Sequence, residues 1–254
     1  MTFTETLLTS WDIILSFFTI AILYASVGFG GGSSYLAILA LASLEYIEIR
    51  ATSLICNIVV VSNSFFLYYK AGYYNFKKVL PLVLTSIPLA FIGGYLRIEE
   101  KFFFILLSTT LLIAGILMLL RKKEINKINR NQHTSLKSLG FGGFIGFISG
   151  MVGIGGGIFL APLLHLTNWD TSKKIAATAS LFILVNSIAG LSGQLTNPDF
   201  SINTTLTIIL GCTVFLGGQI GTRIGIKLIN PNILKKATAL LILYIAIKII
   251  LKHL

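Results

Sequence analysis

The chain has 254 residues, is 55% hydrophobic with a mean hydropathy of +0.87, and is only 11% charged, with a formal net charge of +11. A water-soluble domain of this length needs far more polar surface, so that class is excluded. The basic residues sit between apolar runs, where the positive-inside rule puts them, and this argues against nucleic acid as a partner.

Met1–Ser10 lacks a basic leader region, so no cleaved signal peptide is expected. The apolar stretch from Trp11 to Leu44 holds about 34 residues, roughly 50 Å as one helix, against a hydrocarbon core of ~30 Å. In its middle lies Val27-Gly28-Phe29-Gly30-Gly31-Gly32. The spacing predicts a hairpin of two segments, Trp11–Phe29 and Ser33–Leu44, broken at the glycines. A helix carrying Ala51-Thr52-Ser53-Leu54, Cys56 and Asn57 follows. Then come the charge-free runs Val79–Leu96 and Phe102–Leu120. A basic loop at 121–135 holds Arg121, Lys122, Lys123, Lys127 and Arg130, with Lys137 just beyond, opposed only by Glu124. After it the pattern returns. Leu136–Val152 and Ile158–Leu166 flank Val152-Gly153-Ile154-Gly155-Gly156-Gly157, and Ala177-Thr178-Ala179-Ser180-Leu181, Phe200–Ile220 and Leu234–Leu251 follow. Cys56 and Cys212 lack metal-ligand spacing and read as packing residues.

The expected fold is an all-α polytopic membrane protein with about eight or more membrane segments. An outer-membrane barrel would alternate apolar and polar residues over ~10-residue strands, and these runs do not. Residues 1–120 and 136–254 read as homologous halves around the basic loop, because three landmarks recur in order. These are the glycine sextet, the Ala-Thr-Ser-Leu start, and Phe91-Ile92-Gly93-Gly94 against Phe215-Leu216-Gly217-Gly218. A hairpin plus three helices gives each half odd parity, so the halves are expected to be inverted. Inversion gathers Lys70, Lys77, Lys78, Lys173, Lys174, Arg223, Lys227, Lys235 and Lys236 on the side of the basic loop. Loops 45–50, 97–101 and 196–203 then face out; the C-terminus with Lys252 does too, against the rule.

Three consecutive glycines make poor helix, at about 1 kcal/mol each against alanine. Broken helix is tolerated in a membrane only where protein buries it or it lines a wet cavity. The helix restarting after each break exposes unpaired N–H groups and a positive dipole end, which is an anion site without a charged side chain. All nine acidic residues fall at predicted ends and loops, which argues against a cation held by intramembrane carboxylates. The candidate substrate-binding residues are therefore Gly28, Gly30, Gly31, Gly32, Ser33, Ser34, Thr52, Ser53 and Asn57 in the first half. In the second they are Gly153, Gly155, Gly156, Gly157, Thr178, Ser180 and Asn186. Gly93-Gly94, Gly142-Gly143, Gly146 and Gly217-Gly218 read as packing glycines. Arg50 and Lys174 read as interface anchors, with attraction of anions as the alternative, and His165 as a surface-edge residue.

These motifs carry a resemblance. SVGFGGGSSYLAIL at 26–39 and GMVGIGGGIFLAPLL at 150–164 resemble the repeated signature of the sulfite exporter TauE/SafE family, although the first copy lacks a counterpart of Pro162. The resemblance covers essentially the whole chain. It implies a transporter, without a bound cofactor, of small sulfur oxyanions or organosulfonates in the cytoplasmic membrane of a bacterium. The partners are then an anionic substrate, lipid and a coupling ion such as H+; substrate identity, flux direction and oligomeric state stay open. Two other classes compete. One is a passive channel, a carrier of another solute or a structural subunit. The other is an intramembrane serine hydrolase built on Gly190-Leu191-Ser192-Gly193, which lacks an obvious base: His253 lies at the chain end and His165 is not evidently at the same depth.

Overall fold

A computed structural model of the chain describes residues 3–26, 28–42, 44–119, 135–167, 169–227 and 231–253. Eleven helices account for nearly all of them: α1 (Phe3–Thr9), α2 (Trp11–Ser26), α3 (Gly32–Leu41), α4 (Tyr46–Lys70), α5 (Phe76–Tyr95), α6 (Glu100–Leu119), α7 (Ser135–Val152), α8 (Gly157–Leu166), α9 (Ser172–Leu195), α10 (Thr204–Lys227) and α11 (Pro231–His253). Among the described residues five helices are long and apolar enough to cross a membrane, and α2 and α3 are shorter apolar helices. At ten residues each, α3 and α8 reach roughly 15 Å, half the hydrocarbon thickness. The basic stretch 121–134 lies outside the described residues.

The apolar runs marked the helices well, and the second hairpin ends at Val152 and Leu166 as expected, but the ends in the first hairpin differ. The first break falls at Ser26 rather than Phe29, because Gly28 takes a left-handed conformation (φ +81°) and Phe29 N–H returns to Tyr24 O at 2.9 Å. That is a Schellman termination, which hydrophobicity does not encode. The second hairpin helix starts at Gly32, one residue early, and ends at Leu41 rather than Leu44. The chain folds back there: Tyr24 and Ser34 hydroxyls meet at 2.6 Å, and Phe17 stacks on Tyr35 with ring centroids 4.5 Å apart. The short helix α1 had no counterpart in the apolar pattern.

Helices α4 and α9 pack on each other at the centre, antiparallel, since the first turn of α4 and the last turn of α9 line the same cavity. Around them α5 packs on α7 and α9, α10 on α2 and α4, α3 on α4, α8 on α9, and α6 on α11. Glycine stripes set the closest approaches. On α7, Gly142, Gly146 and Gly150 lie against the backbone of Leu82, Ser86 and Ala90 of α5. On α10, Gly217, Gly221 and Gly225 lie against Phe18, Ile22 and Ser26 of α2. Where lipid and side chains are equally apolar, such close packing supplies the attraction between helices. A Cβ at Gly146 would stand 2.6 Å from Ser86 Cα. Gly146→Leu is therefore expected to prise α5 from α7 and to abolish the monodisperse species in detergent, as read by size-exclusion chromatography.

Two polar clasps close opposite ends. At one, Lys78 Nζ lies 3.2 Å from Asp170 Oδ2 and over the Trp169 ring, and Lys174 Nζ is 3.7 Å from Asp170 Oδ1. At the other, Arg97 bonds Asn197 Oδ1 and pairs with Asp199. Burial pushes the Asp170 carboxyl up, but the Thr171 N–H, Lys78 and Lys174 outweigh it and hold it below the ordinary carboxylate range. A depressed folded value stabilises the fold above the unfolded pKa, about 3.9, and the contribution fades as pH falls through the folded value. Thermal unfolding is thus expected to be flat from neutral pH to about 5 and to weaken in stronger acid. Asp170→Asn should lower the neutral midpoint and remove part of that acid slope.

Candidate functional site: two glycine turns around Asn57

Both helix breaks are built alike. α7 ends as α2 does, with Gly153 left-handed (φ +89°) and Ile154 N–H returning to Ser149 O at 3.1 Å. Each new helix then starts from a left-handed glycine with no side-chain cap, Gly31 (φ +89°) for α3 and Gly156 (φ +82°) for α8. Helix geometry leaves the first amides, those of Gly32 and Ser33 and of Gly157 and Ile158, without an intrahelical acceptor. The N-terminal partial charge of each short helix is positive.

The turns meet across the centre through one side chain. Asn57, fully buried on α4, fits so closely between Gly30 and Gly32 that a Cβ on either would collide with its amide. Its Nδ2 donates to Ile154 O of the second turn at 2.9 Å. That bond fixes the amide orientation and leaves Oδ1 without a partner. A Cβ at Gly155 would lie 3.1 Å from Asn57 Nδ2 and 2.6 Å from Ser187 Oγ, which is also buried and unpartnered. Ser53 donates to Gly32 O at 2.9 Å. The unpartnered Tyr35 hydroxyl lies against Gly31. No carboxylate appears among these contacts. Among the described residues no group of His, Cys, Asp and Glu could hold a metal ion.

The candidates from the sequence divide accordingly. Gly28, Gly30, Gly31, Gly32, Ser33, Ser34, Ser53 and Asn57 gather with Gly153, Gly155, Gly156 and Gly157 at the two turns. Thr52 turns instead to Thr207 of α10, with hydroxyls 3.0 Å apart. Ser180 bonds Tyr74 and Ala177, and Asn186 donates to Phe182 O of its own helix. Thr178 is buried with them on α9. Ser187 was missed, although it lies one helical turn beyond Ile183, the residue that faces Gly157. Ser192 is exposed, donates to Ile188 O of its own helix and lines an apolar groove with Pro88 and Phe91.

A family model described as sulfite exporter TauE/SafE matches residues 13–249. The chain belongs to that family. It is 30% identical over 241 residues to the probable membrane transporter protein y4hK of Sinorhizobium fredii, covering 94% of this chain and 97% of that one. It is 26% identical over 239 residues to the probable membrane transporter protein MJ0441 of Methanocaldococcus jannaschii, covering 88% of each. No solved structure matches. Family and relatives indicate a multi-pass membrane transporter rather than an enzyme.

Proposed function

We propose that the protein is a secondary carrier of a small anion, a sulfur oxyanion or organosulfonate of the sulfite type, bound between the amide groups that open α3 and α8. The observation that carries this reading is the pair of matched glycine turns joined by Asn57, with helix-start amides that lack an intrahelical acceptor or a side-chain cap and no carboxylate at the join. Amides and dipole ends suit an anion. The family name agrees with it.

We further propose that residues 1–120 and 136–254 are inverted repeats flanking a cytoplasmic loop, and that the membrane is the cytoplasmic membrane of a bacterium. Exchanging the halves converts α5 on α7 into α10 on α2, α5 on α9 into α10 on α4, and α3 on α4 into α8 on α9, all of which are packed pairs. The antiparallel run of α4 against α9 favours inversion over a parallel repeat. The clasps favour it too: the first turn of α5 meets the loop before α9, both assigned inside, while Arg97 meets Asp199, both assigned outside. Lys252 reaches the carbonyls of Ala40 and Leu41, so the end of α11 shares a side with the end of α3.

The test is labelled sulfite flux into liposomes holding the purified protein, with sulfate, thiosulfate and taurine as competitors and with and without a proton gradient. Saturable flux blocked by one competitor is expected. Unsaturable conductance would replace the carrier by a channel. No flux of any oxyanion would overturn the anion reading.

A further inference from the structure

The first turn of α4, the last turns of α5 and α9 and the loop before α10 enclose a cavity of about 20 Å³ whose walls include Tyr46, Arg50, Gly94, Arg97, Gln194 and Asn197. Arg50 is 4% exposed and has no carboxylate within ion-pair distance among the described residues. Its Nη2 donates to the carbonyls of Gly93, Gly94 and Gly150 at 3.3–3.4 Å, longer than the ~2.8 Å of good charge-assisted bonds, and its Nε has no partner. Gln194 is equally buried, and neither its Nε2 nor its Oε1 has a partner. A buried cation without a counter-charge is costly in or near a membrane, and an unmet amide adds to that cost. Arg97 stands at the mouth, held by Asn197 and Asp199. With one acid against two arginines, the walls carry a net positive charge.

The cavity also adjoins the candidate site. A Cβ at Gly153 would lie 3.2 Å from Arg50 Cα, so the arginine stands directly behind the second glycine turn. The first turn has a neutral neighbour in the equivalent place: a Cβ at Gly28 would lie 2.7 Å from Ala176 Cβ. A cation is thus built in behind one turn and not the other.

We propose that this cavity is a second anion-binding site, a vestibule that receives a small oxyanion or carboxylate from the Arg97 side and passes it to the glycine turns. The proposal rests on the anion-carrier reading above. At about 20 Å³ the closed cavity takes roughly one water. Binding therefore requires Arg97 to leave Asp199, with the anion taking the place of that carboxylate and accepting from Arg50 Nε–H and Gln194 Nε2–H, the two buried donors that lack a partner.

The experiment measures sulfite uptake in liposomes sorted for one orientation, with Arg50→Gln and Gln194→Leu beside the unmodified protein. Both variants are expected to raise KM about tenfold or more from the Arg97 face, with KM from the opposite face and Vmax within twofold. Arg50→Lys should recover part of the loss. An unchanged KM, or a rise equal from both faces, overturns the vestibule. Gln194→Leu guards against misfolding, because removing an unmet buried amide without any binding role should leave the protein as stable or more so. If the unmodified protein carries neither sulfite nor any other oxyanion, the carrier reading falls and thermal unfolding with added sulfite or sulfate decides the cavity. Stabilisation that both variants lose upholds it; equal stabilisation of all three, or none of the unmodified protein, overturns it.

Discussion

Leucine at Gly156 is expected to abolish sulfite flux. Gly156 sits at φ +82°, where an L-residue costs about 1–2 kcal/mol. A Cβ there would lie 2.8 Å from Phe182 Cε1 and 3.1 Å from Ser149 Oγ, so the rest of the side chain must displace the turn or the helices behind it. Either movement re-aims the first amides of α8, the donors assigned to the anion. Gly156→Ala separates the two effects, since it adds strain with little bulk, and should retain partial flux at a lower maximal rate. Wild-type flux in Gly156→Leu, with the protein folded by thermal unfolding, would move the site away from the turn.

Asn57→Leu has the second large effect. It preserves volume but removes the donor that reaches Ile154 O across the two halves, leaving a buried carbonyl unmet at about 1–3 kcal/mol. We expect a drop in flux of a hundredfold or more, with a fall in unfolding temperature of a few degrees. Asn57→Asp should be worse, because it sets a negative charge against Ile154 O and beside the proposed anion. Retained flux in Asn57→Leu alongside the stability loss would make the bridge structural only.

Much of this was legible in the chain before the fold. The glycine sextets located both breaks, and the restarting helices began within one residue of the expected points, because three glycines interrupt an apolar run in any context. Helix ends were legible in the second hairpin, where α7 and α8 stop at Val152 and Leu166 as expected, but not in the first. The break at Ser26 is set by a backbone bond from Phe29 to Tyr24, which leaves no trace in hydrophobicity. Polar residues were correctly found on α4 and α9, but which of them turn inward depends on long-range packing. Thr52 turns to Thr207, 155 residues away, while Asn57 turns to a carbonyl 97 residues away. From its place at a helix start, Arg50 reads as an interface anchor or a residue that attracts anions, and neither reading predicts its burial. It is buried because Gly94 and Gly150 let α5 and α9, and α7 and α5, approach backbone to backbone around it, and a charge pattern holds no record of that.

The two turns are matched in backbone but not in what faces them. Gly32 packs against the amide of Asn57, and Gly157 against the aliphatic side chain of Ile183. A carrier of two identical halves would, when empty, spend equal time open to either side of the membrane. One hydrogen bond made in only one of those arrangements, at about 0.5–1.5 kcal/mol net, shifts that occupancy roughly twofold to tenfold. In the proposed carrier of inverted repeats, the Asn57–Ile183 mismatch would then give the unloaded protein a preferred resting side. Flux measured in the two directions under equal and opposite gradients should then show unequal half-saturation.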